Sequence, residues 1–325
     1  MTESDILGIL SQIFEDDEWP EAVRVLRGLL LVRGGMPVTQ AARSIRTTNR
    51  TLQKIIDAED PISAALGGVK TLDELARKKA ARALGQMLLG RAAEMAFLQL
   101  FRDAFKDEEL DIVDVSEEGS DTDIRLTDGK GRALYRINIK YFGAVFRRAP
   151  EMVGLSADDC FALATYKIKS GIEKQQTEGK PYFFAIVGVA GMTADTAGAQ
   201  FPHDLMEAAI VVLNSNAKQR RRFEDSLIDH VVQKDLPVFS YNFKRIYDAP
   251  WYILSAERAA RLMRDKLFER VFALSIRNFT RVFPGAEVDM HFSLKSDLTR
   301  LPVFFETLRD EGREKVATLL SRGDL

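Results

Sequence analysis

Thiols and imidazoles are scarce in this chain: of 325 residues one is cysteine, Cys160, and three are histidines, His203, His230 and His291. One cysteine forms no internal disulfide, and no Cys/His group has the spacing of a zinc site. A lone cysteine is most simply a buried structural residue. No sign of charge dominates either, since 46 basic residues face 48 acidic ones and the formal net charge is -2. Any surface for a polyanion must therefore be local. Long apolar runs are missing too: Leu29-Leu-Leu-Val32 is short and lies between arginines. The acidic start, Met1-Thr-Glu-Ser-Asp5, does not read as a secretory leader. Together these features predict a cytoplasmic protein with no membrane partner. The 46% hydrophobic and 29% charged content is that of an ordinary globular chain. Its length suits two domains, or one domain with additions.

The first 85 or so residues read as helical. Val23, Leu26, Leu30 and Leu31 recur at helical spacing from Trp19-Pro20 to Arg33, and Gly34-Gly35 with Pro37 ends that run. Thr39 is placed to cap a short helix holding Ala42 and Ile45. Thr47 or Thr48 is placed to cap a second, holding Leu52, Ile55 and Ile56. Two short helices with a small alanine at the crossing resemble a helix-turn-helix. Arg46 stands where the turn of that motif expects glycine. From Arg24 to Lys54 there is no acid, while Arg24, Arg27, Arg33, Arg43, Arg46, Arg50 and Lys54 are basic. A basic helical hairpin suits phosphate contact, and a solvated basic face is the plainer alternative. Arg43, Arg46, Thr48, Asn49, Arg50 and Lys54 are the candidate DNA-contacting residues.

Asp60-Pro61 and Gly67-Gly68 mark a loop. Thr71 is placed to cap a long helix that runs to Phe105, rich in alanine and leucine, with Gly85 and Gly90 open to a close neighbour. Strand periodicity begins at Leu110–Val115. A helix is expected around Asp158 to Gln176, then a doubly buried strand in Tyr182–Val189 and another apolar stretch in Ala209–Leu213. That order describes a layered α/β core. The last 75 or so residues mix helix (Ala256–Phe279), a strand-like Val288–Leu294 and a terminal helix.

The chemistry concentrates in residues 121–140. Asp128-Gly129-Lys130-Gly131 is a strong turn signal between two strands. Residues two apart on a strand share a face. A loop of two or four residues pairs Asp123 with Leu134 or Arg136, on the side of Asn138 and Lys140. A three-residue loop or a single bulge reverses this. With an even loop the other face holds Ile124, Leu126, Tyr135, Ile137 and Ile139. The polar face then gathers Asp121, Asp123, Asn138 and Lys140, which is wasteful in a core and useful around a cation. The plainer alternative is an amphipathic hairpin with a solvated charged face.

The order helix-Glu94, strand-Asp123, turn, Asn138-Ile-Lys140, helix, buried strand resembles the PD-(D/E)XK nuclease superfamily, the fold of many restriction endonucleases. The likeness covers roughly residues 86–215. It implies a mixed sheet flanked by helices, dependence on Mg²⁺ with Mn²⁺ as a substitute, and cleavage of DNA or occasionally RNA. Carried over position by position, Asp123 and the Ile139 carbonyl would ligate metal, with Glu94 doing so directly or through water. Lys140 would orient or help deprotonate the attacking water, since Mg²⁺ activates water through hard oxygen ligands. The chain departs from the pattern at Asn138, where an acid should stand; an amide oxygen can ligate but brings no charge.

These features predict an α/β (α+β) restriction endonuclease-like core with a mixed central sheet, preceded by an all-helical domain. The expected domains are 1–85 helical and DNA-contacting, 86–250 nuclease core, and 251–325 C-terminal α/β extension. The catalytic set is Glu94, Asp123, Asn138 and Lys140. Lys174 and Gln175, on the helix after the hairpin, join the DNA-contacting set, with a solvated face as the alternative. Arg147-Arg148 are within reach of phosphate. Lys218–Arg222 reads as a basic surface patch, and Trp251-Tyr252 as core packing or a base stack. The expected function is a Mg²⁺-dependent endonuclease acting on double-stranded DNA as a homodimer. The competing classes are a non-catalytic DNA-binding protein with a degenerate nuclease core and an adaptor subunit of a larger assembly.

Overall fold

The structure is a computed structural model. It describes residues 21–59, 61–65, 74–106, 110–114, 124–128, 130–131, 133–201, 226–270 and 288–310. The chain divides into two compact units, residues 1–91 with 193–242, and residues 92–192 with 243–325.

The first unit opens with α1 (Glu21–Arg33), α2 (Val38–Ser44), α3 (Asn49–Ile56) and α4 (Pro61–Ala65). Leu26, Leu29 and Leu30 of α1 are buried, as are Ala41, Ala42, Ile45 and Leu52 of the two short helices and their turn. Gly28 makes the crossing possible, because a Cβ there would overlap the side chain of Ile45. α2 starts ahead of the expected Thr39 cap. The Pro37 carbonyl accepts from the amides of Gln40 and Ala41, at 2.9 Å each, so the first turn closes around Pro37. α3 is capped as the sequence suggests, with the Thr48 hydroxyl accepting from the Thr51 amide at 3.1 Å. Between them Arg46 takes φ +55°, the left-handed region that glycine adopts without cost.

α5 (Glu74–Phe105) follows. Its Gly85 meets α8 (Ala194–Gly198) at backbone contact. A Cβ at Gly85 would overlap the Ala194 carbonyl oxygen, and one at Gly198 would overlap the carbonyl of Ala81. Gly90, by contrast, has open space around it.

The second unit is a mixed sheet flanked by helices. Its strands are β1 (Leu110–Asp114), β2 (Ile124–Asp128), β3 (Ala133–Phe142), β5 (Tyr182–Gly188), β6 (Trp251–Ser255) and β8 (Thr299–Arg300), in the order β1-β2-β3-β5-β6-β8. β3 and β5 are parallel and every other pairing is antiparallel. β6 and β8 come from the residues expected to form a C-terminal extension, and they complete the same sheet. Local periodicity does not show this joining, because strand pairing is non-local.

Each face of the sheet has its own cover. On one face Phe97 of α5 packs on Trp251, and Phe183 on Phe304 of α11 (Leu301–Asp310). Phe101, Phe105 and Phe305 extend that layer. On the other face Tyr182, Phe184, Ile186 and Leu254 form one cluster with Ile168 of α7 (Thr165–Glu178) and Ala256 and Ala259 of α10 (Ala256–Arg270). The same cluster includes Phe161 of β4 (Cys160–Ala164) and Phe292 of β7 (Asp289–Ser293). Gly171 lets α7 press down, since a Cβ there would stand 3.1 Å from Tyr182 and 3.3 Å from Phe184.

The helix expected from Asp158 therefore begins later. Cys160–Ala164 is a strand paired antiparallel with β7, and α7 starts at Thr165. Two long-range anchors hold this boundary. The Asp159 carboxylate accepts from the Ser293 hydroxyl at 2.7 Å and from the Lys295 amide at 2.8 Å, and the Thr165 amide donates to the Val288 carbonyl at 2.8 Å. The remaining helices are α6 (Ala149–Val153) and α9 (Pro237–Tyr247), with a further helical stretch over 226–233. The expected Thr71 cap, the Ala209–Leu213 stretch and residues 271–279 lie outside the described residues.

Candidate functional site

The hairpin reaches the expected face by an unexpected route. Thr127 pairs with Ala133, so the connection encloses residues 128–132, an odd number. The register then shifts at Leu126/Thr127, leaving Leu134 as an extra residue on β3. Two odd displacements cancel. Ile124 pairs with Ile137 and Leu126 with Tyr135, all four buried, and Ile139 is buried on the same odd-numbered face of β3. The turn is held by Asp128, whose carboxylate accepts from the Lys130 amide at 3.0 Å and whose carbonyl accepts from Gly131 at 2.8 Å. Gly131 has φ +73°.

Asn138 and Lys140 stand on the other, even-numbered face, together with Arg136 and Phe142. Asn138 is only 4% exposed, and Lys140 is half-buried. Their partners on β5 are Phe184 and Ile186, so the polar pair rises beside an aromatic and aliphatic floor. Phe142 closes the end of that floor. Its ring lies over Gly188, where a Cβ would overlap it, and 5.5 Å from the ring of Phe161. A buried amide beside a half-buried ammonium is costly unless both are engaged.

The other residues of the expected set are distributed as follows. Glu94 is half-buried on α5, the helix whose Phe97 covers the odd face. Asn138 and Lys140 rise from the even one. Asp121 and Asp123 lie outside the described residues. Among the described residues no group of three or more His, Cys, Asp or Glu side chains is placed to hold a metal ion. The hard oxygens that Mg²⁺ prefers are thus not gathered on one face among the described residues: the Asn138 amide belongs to the even face, and the helix of Glu94 covers the odd one.

Gln175 is committed to structure. Its side-chain carbonyl accepts from the Tyr182 amide at 3.1 Å, and its amide donates to Glu257 of α10. This brace fastens α7 to the start of β5. Arg136 and Glu178 form an ion pair at the same end, with side chains 14% and 34% exposed. Lys174 beside Gln175 is half-buried. Sequence reading missed both braces because each joins residues far apart in the chain.

In the first unit Arg43, Arg46, Thr48, Asn49, Arg50 and Lys54 are all exposed. Trp251 belongs to the core: it is 3% exposed and its indole N–H donates to the Ile246 carbonyl at 3.0 Å. Tyr252 is half-buried beneath the Arg300 guanidinium, 5.8 Å from its ring centre. Tyr141 donates its hydroxyl to the Met192 carbonyl, and burial raises its pKa well above the usual phenol range, so it stays neutral. Cys160 is buried, and burial pushes its thiol up to about 11, the state of an unreactive structural cysteine. Lys218–Arg222 and His203 lie outside the described residues. Among the described residues no helix is long and apolar enough to cross a membrane.

No family model, no curated protein and no solved structure matches the chain.

His291 gives this region a pH dependence. It is 1% exposed, and its Nδ1–H donates to the Arg270 carbonyl at 3.0 Å. Burial lowers its pKa below the ordinary histidine value. As pH falls, the unfolded chain therefore takes up this proton before the folded chain does. The associated stability is complete above the ordinary value and is lost as pH drops toward the depressed one. The urea midpoint of wild type is expected to fall between pH 7.5 and pH 5.5 more steeply than that of His291→Gln. Parallel slopes in paired urea titrations would remove His291 from the effect.

Proposed function

We propose that this protein is a Mg²⁺-dependent DNA endonuclease with a variant PD-(D/E)XK core. The observation that carries it is the placement of Asn138 and Lys140 on one face of β3, between the β2 hairpin and the parallel strand β5. A helix before an antiparallel β1-β2-β3 meander, and a helix between two parallel strands, is the order that superfamily implies. Under this reading Asp123, which lies outside the described residues, would supply the acid of the hairpin.

The roles then divide by chemistry. Bound Mg²⁺ would supply the Lewis acid that makes water nucleophilic near neutral pH. The ligands proposed for it are Asp123 and the Ile139 carbonyl, with Glu94, whose helix covers the other face of the sheet, acting through water. Lys140, half-buried beside apolar neighbours, would orient the attacking water and offset charge that develops on the phosphate. Asn138 would hold the metal or its water through the amide oxygen. The exposed arginines of α2, the turn and α3 would engage duplex DNA, and a cytoplasmic homodimer would cut both strands.

A second reading has its own support. Asn138 lacks the charge of the acid that the superfamily pattern places at that position. A DNA-binding protein whose nuclease core no longer cuts fits that departure.

Supercoiled plasmid separates the two readings. Wild type is expected to nick or linearise it with Mg²⁺ and to leave it intact with EDTA. Lys140→Ala is expected to slow cutting by on the order of 10²–10⁴-fold, the usual weight of a positioned proton-transfer group. Equal cutting by wild type and Lys140→Ala would contradict the nuclease assignment.

The helical unit is tested by Arg46→Gly. The left-handed φ at 46 costs an L-residue roughly 1 kcal/mol, which glycine does not incur. Folding stability should hold or rise, while affinity for duplex DNA drops and the salt slope of binding falls by about 1. Unchanged affinity and slope, read by fluorescence anisotropy at several salt concentrations, would take DNA contact away from this unit.

A further inference from the structure

Among the described residues four large hydrophobic side chains are conspicuously exposed, and two of them, Val145 at 42% and Tyr166 at 41%, belong to the segments that follow β3 and β4. We propose that Tyr166 is a stacking platform for an unpaired base, and that the partner of this end of the sheet is a nucleic-acid strand with at least one base out of its duplex stack. The proposal rests on the nuclease reading for its chemistry, and it fixes the substrate class that such a site would take.

The placement of Tyr166 follows from the two braces at the far end of α7. Glu178 is tied to Arg136 and Gln175 to the start of β5, while Gly171 lies over Tyr182 and Phe184. α7 therefore runs back along β3 and β5, from the end of Phe142 to the end of Arg136. Tyr166 lies ~18 Å along the helix from Glu178, at 1.5 Å per residue. Phe142 lies ~20 Å along β3 from Arg136, at roughly 3.3 Å per residue. The first turn of α7 is thus level with the end of β3 that carries Lys140 and Phe142.

The surroundings suit a polyanion. The Lys167 ammonium lies over the Tyr166 ring, 5.1 Å from its centre. Lys169 is exposed on the next turn, and Arg147 and Arg148 are exposed beside Val145. Phe146 ties that loop to β7 through its edge-on contact with His291 at 5.7 Å. The exposed acids of the β3–β4 connection and of β7 are Glu151, Asp158 and Asp289, set against Arg147, Arg148 and Lys169, which are exposed, and Lys167, which is half-buried on the Tyr166 ring. Tyr166 is also rigidly mounted, because the buried Thr165 before it is bonded to Val288.

A ring of this kind needs the flat face of a base. Within a duplex, away from its ends, both faces of each base are already stacked, so there only an unpaired or displaced base can use the ring, and stacking tolerates any base identity. A cation on the same ring adds attraction for the neighbouring phosphate. A blunt duplex would use the arginines and leave the ring empty.

The test is binding by the full chain in EDTA, so that nothing is cut. The probes are two linear two-stranded DNAs with the same duplex and no loop, one blunt and one ending in a short single-stranded tail that contains 2-aminopurine. Wild type is expected to bind the tailed DNA about 5- to 100-fold more tightly and to quench the 2-aminopurine, in line with aromatic stacking on one base. Tyr166→Ala should bind both alike and lose the quench, and Tyr166→Phe should keep both. Equal affinity of wild type for the two DNAs, or a preference and quench kept by Tyr166→Ala, would overturn the proposal. A preference that depends on Tyr166 supports it even where plasmid cutting in Mg²⁺ is absent, which would end the nuclease reading alone.

Discussion

The parallel pairing of β3 with β5 is the constraint on which the rest of the second unit depends. It fixes which residues of β3 share a face with which residues of β5. Through β5 it also fixes the faces of β6 and β8. One face becomes an aromatic layer under α5 and α11, and the other receives α7, α10 and the β4–β7 pair. Asn138 and Lys140 stand beside the apolar Phe184 and Ile186 on that second face, between the Arg136–Glu178 ion pair and Phe142. Burial of an amide and of most of a lysine inside a sheet is opposed by desolvation, so their presence there calls for a chemical reason.

Much of this was legible because the relevant patterns are local. The apolar run of β5, the helical spacing of α1 and α5, the Thr48 cap and the turn at Asp128 all act within a few residues. Alternation along β3 placed Ile137 and Ile139 against Asn138 and Lys140 with no knowledge of the partner strands. Arg46 marked its turn by being the wrong residue for it, and φ +55° shows the backbone accepting that cost.

What was not legible is non-local. The β4 strand could not be told from the start of a helix, because its conformation is imposed by β7, more than a hundred residues later. The assignment of β6 and β8 to the central sheet is of the same kind. Gln175 looked like a phosphate ligand on a helix face and is instead a brace to Tyr182 and Glu257. The hairpin parity came out as expected although the loop did not, since an odd connection was offset by a bulge at Leu134. Glu94 shows the limit of reading order alone. Its helix covers the face opposite to that of Lys140, so any joint role must be reached past the sheet or through water.

A metal centre on this protein requires the even face of β3 to hold a cation, and calorimetric titration of Mn²⁺ into the full chain tests that most directly. Wild type should bind the ion weakly, and Asn138→Asp, which restores one negative charge at the same position, should bind it at least about tenfold more tightly, the factor that 1.4 kcal/mol represents. Identical heats for the two proteins, or binding by neither, would contradict the placement of a metal centre on this strand.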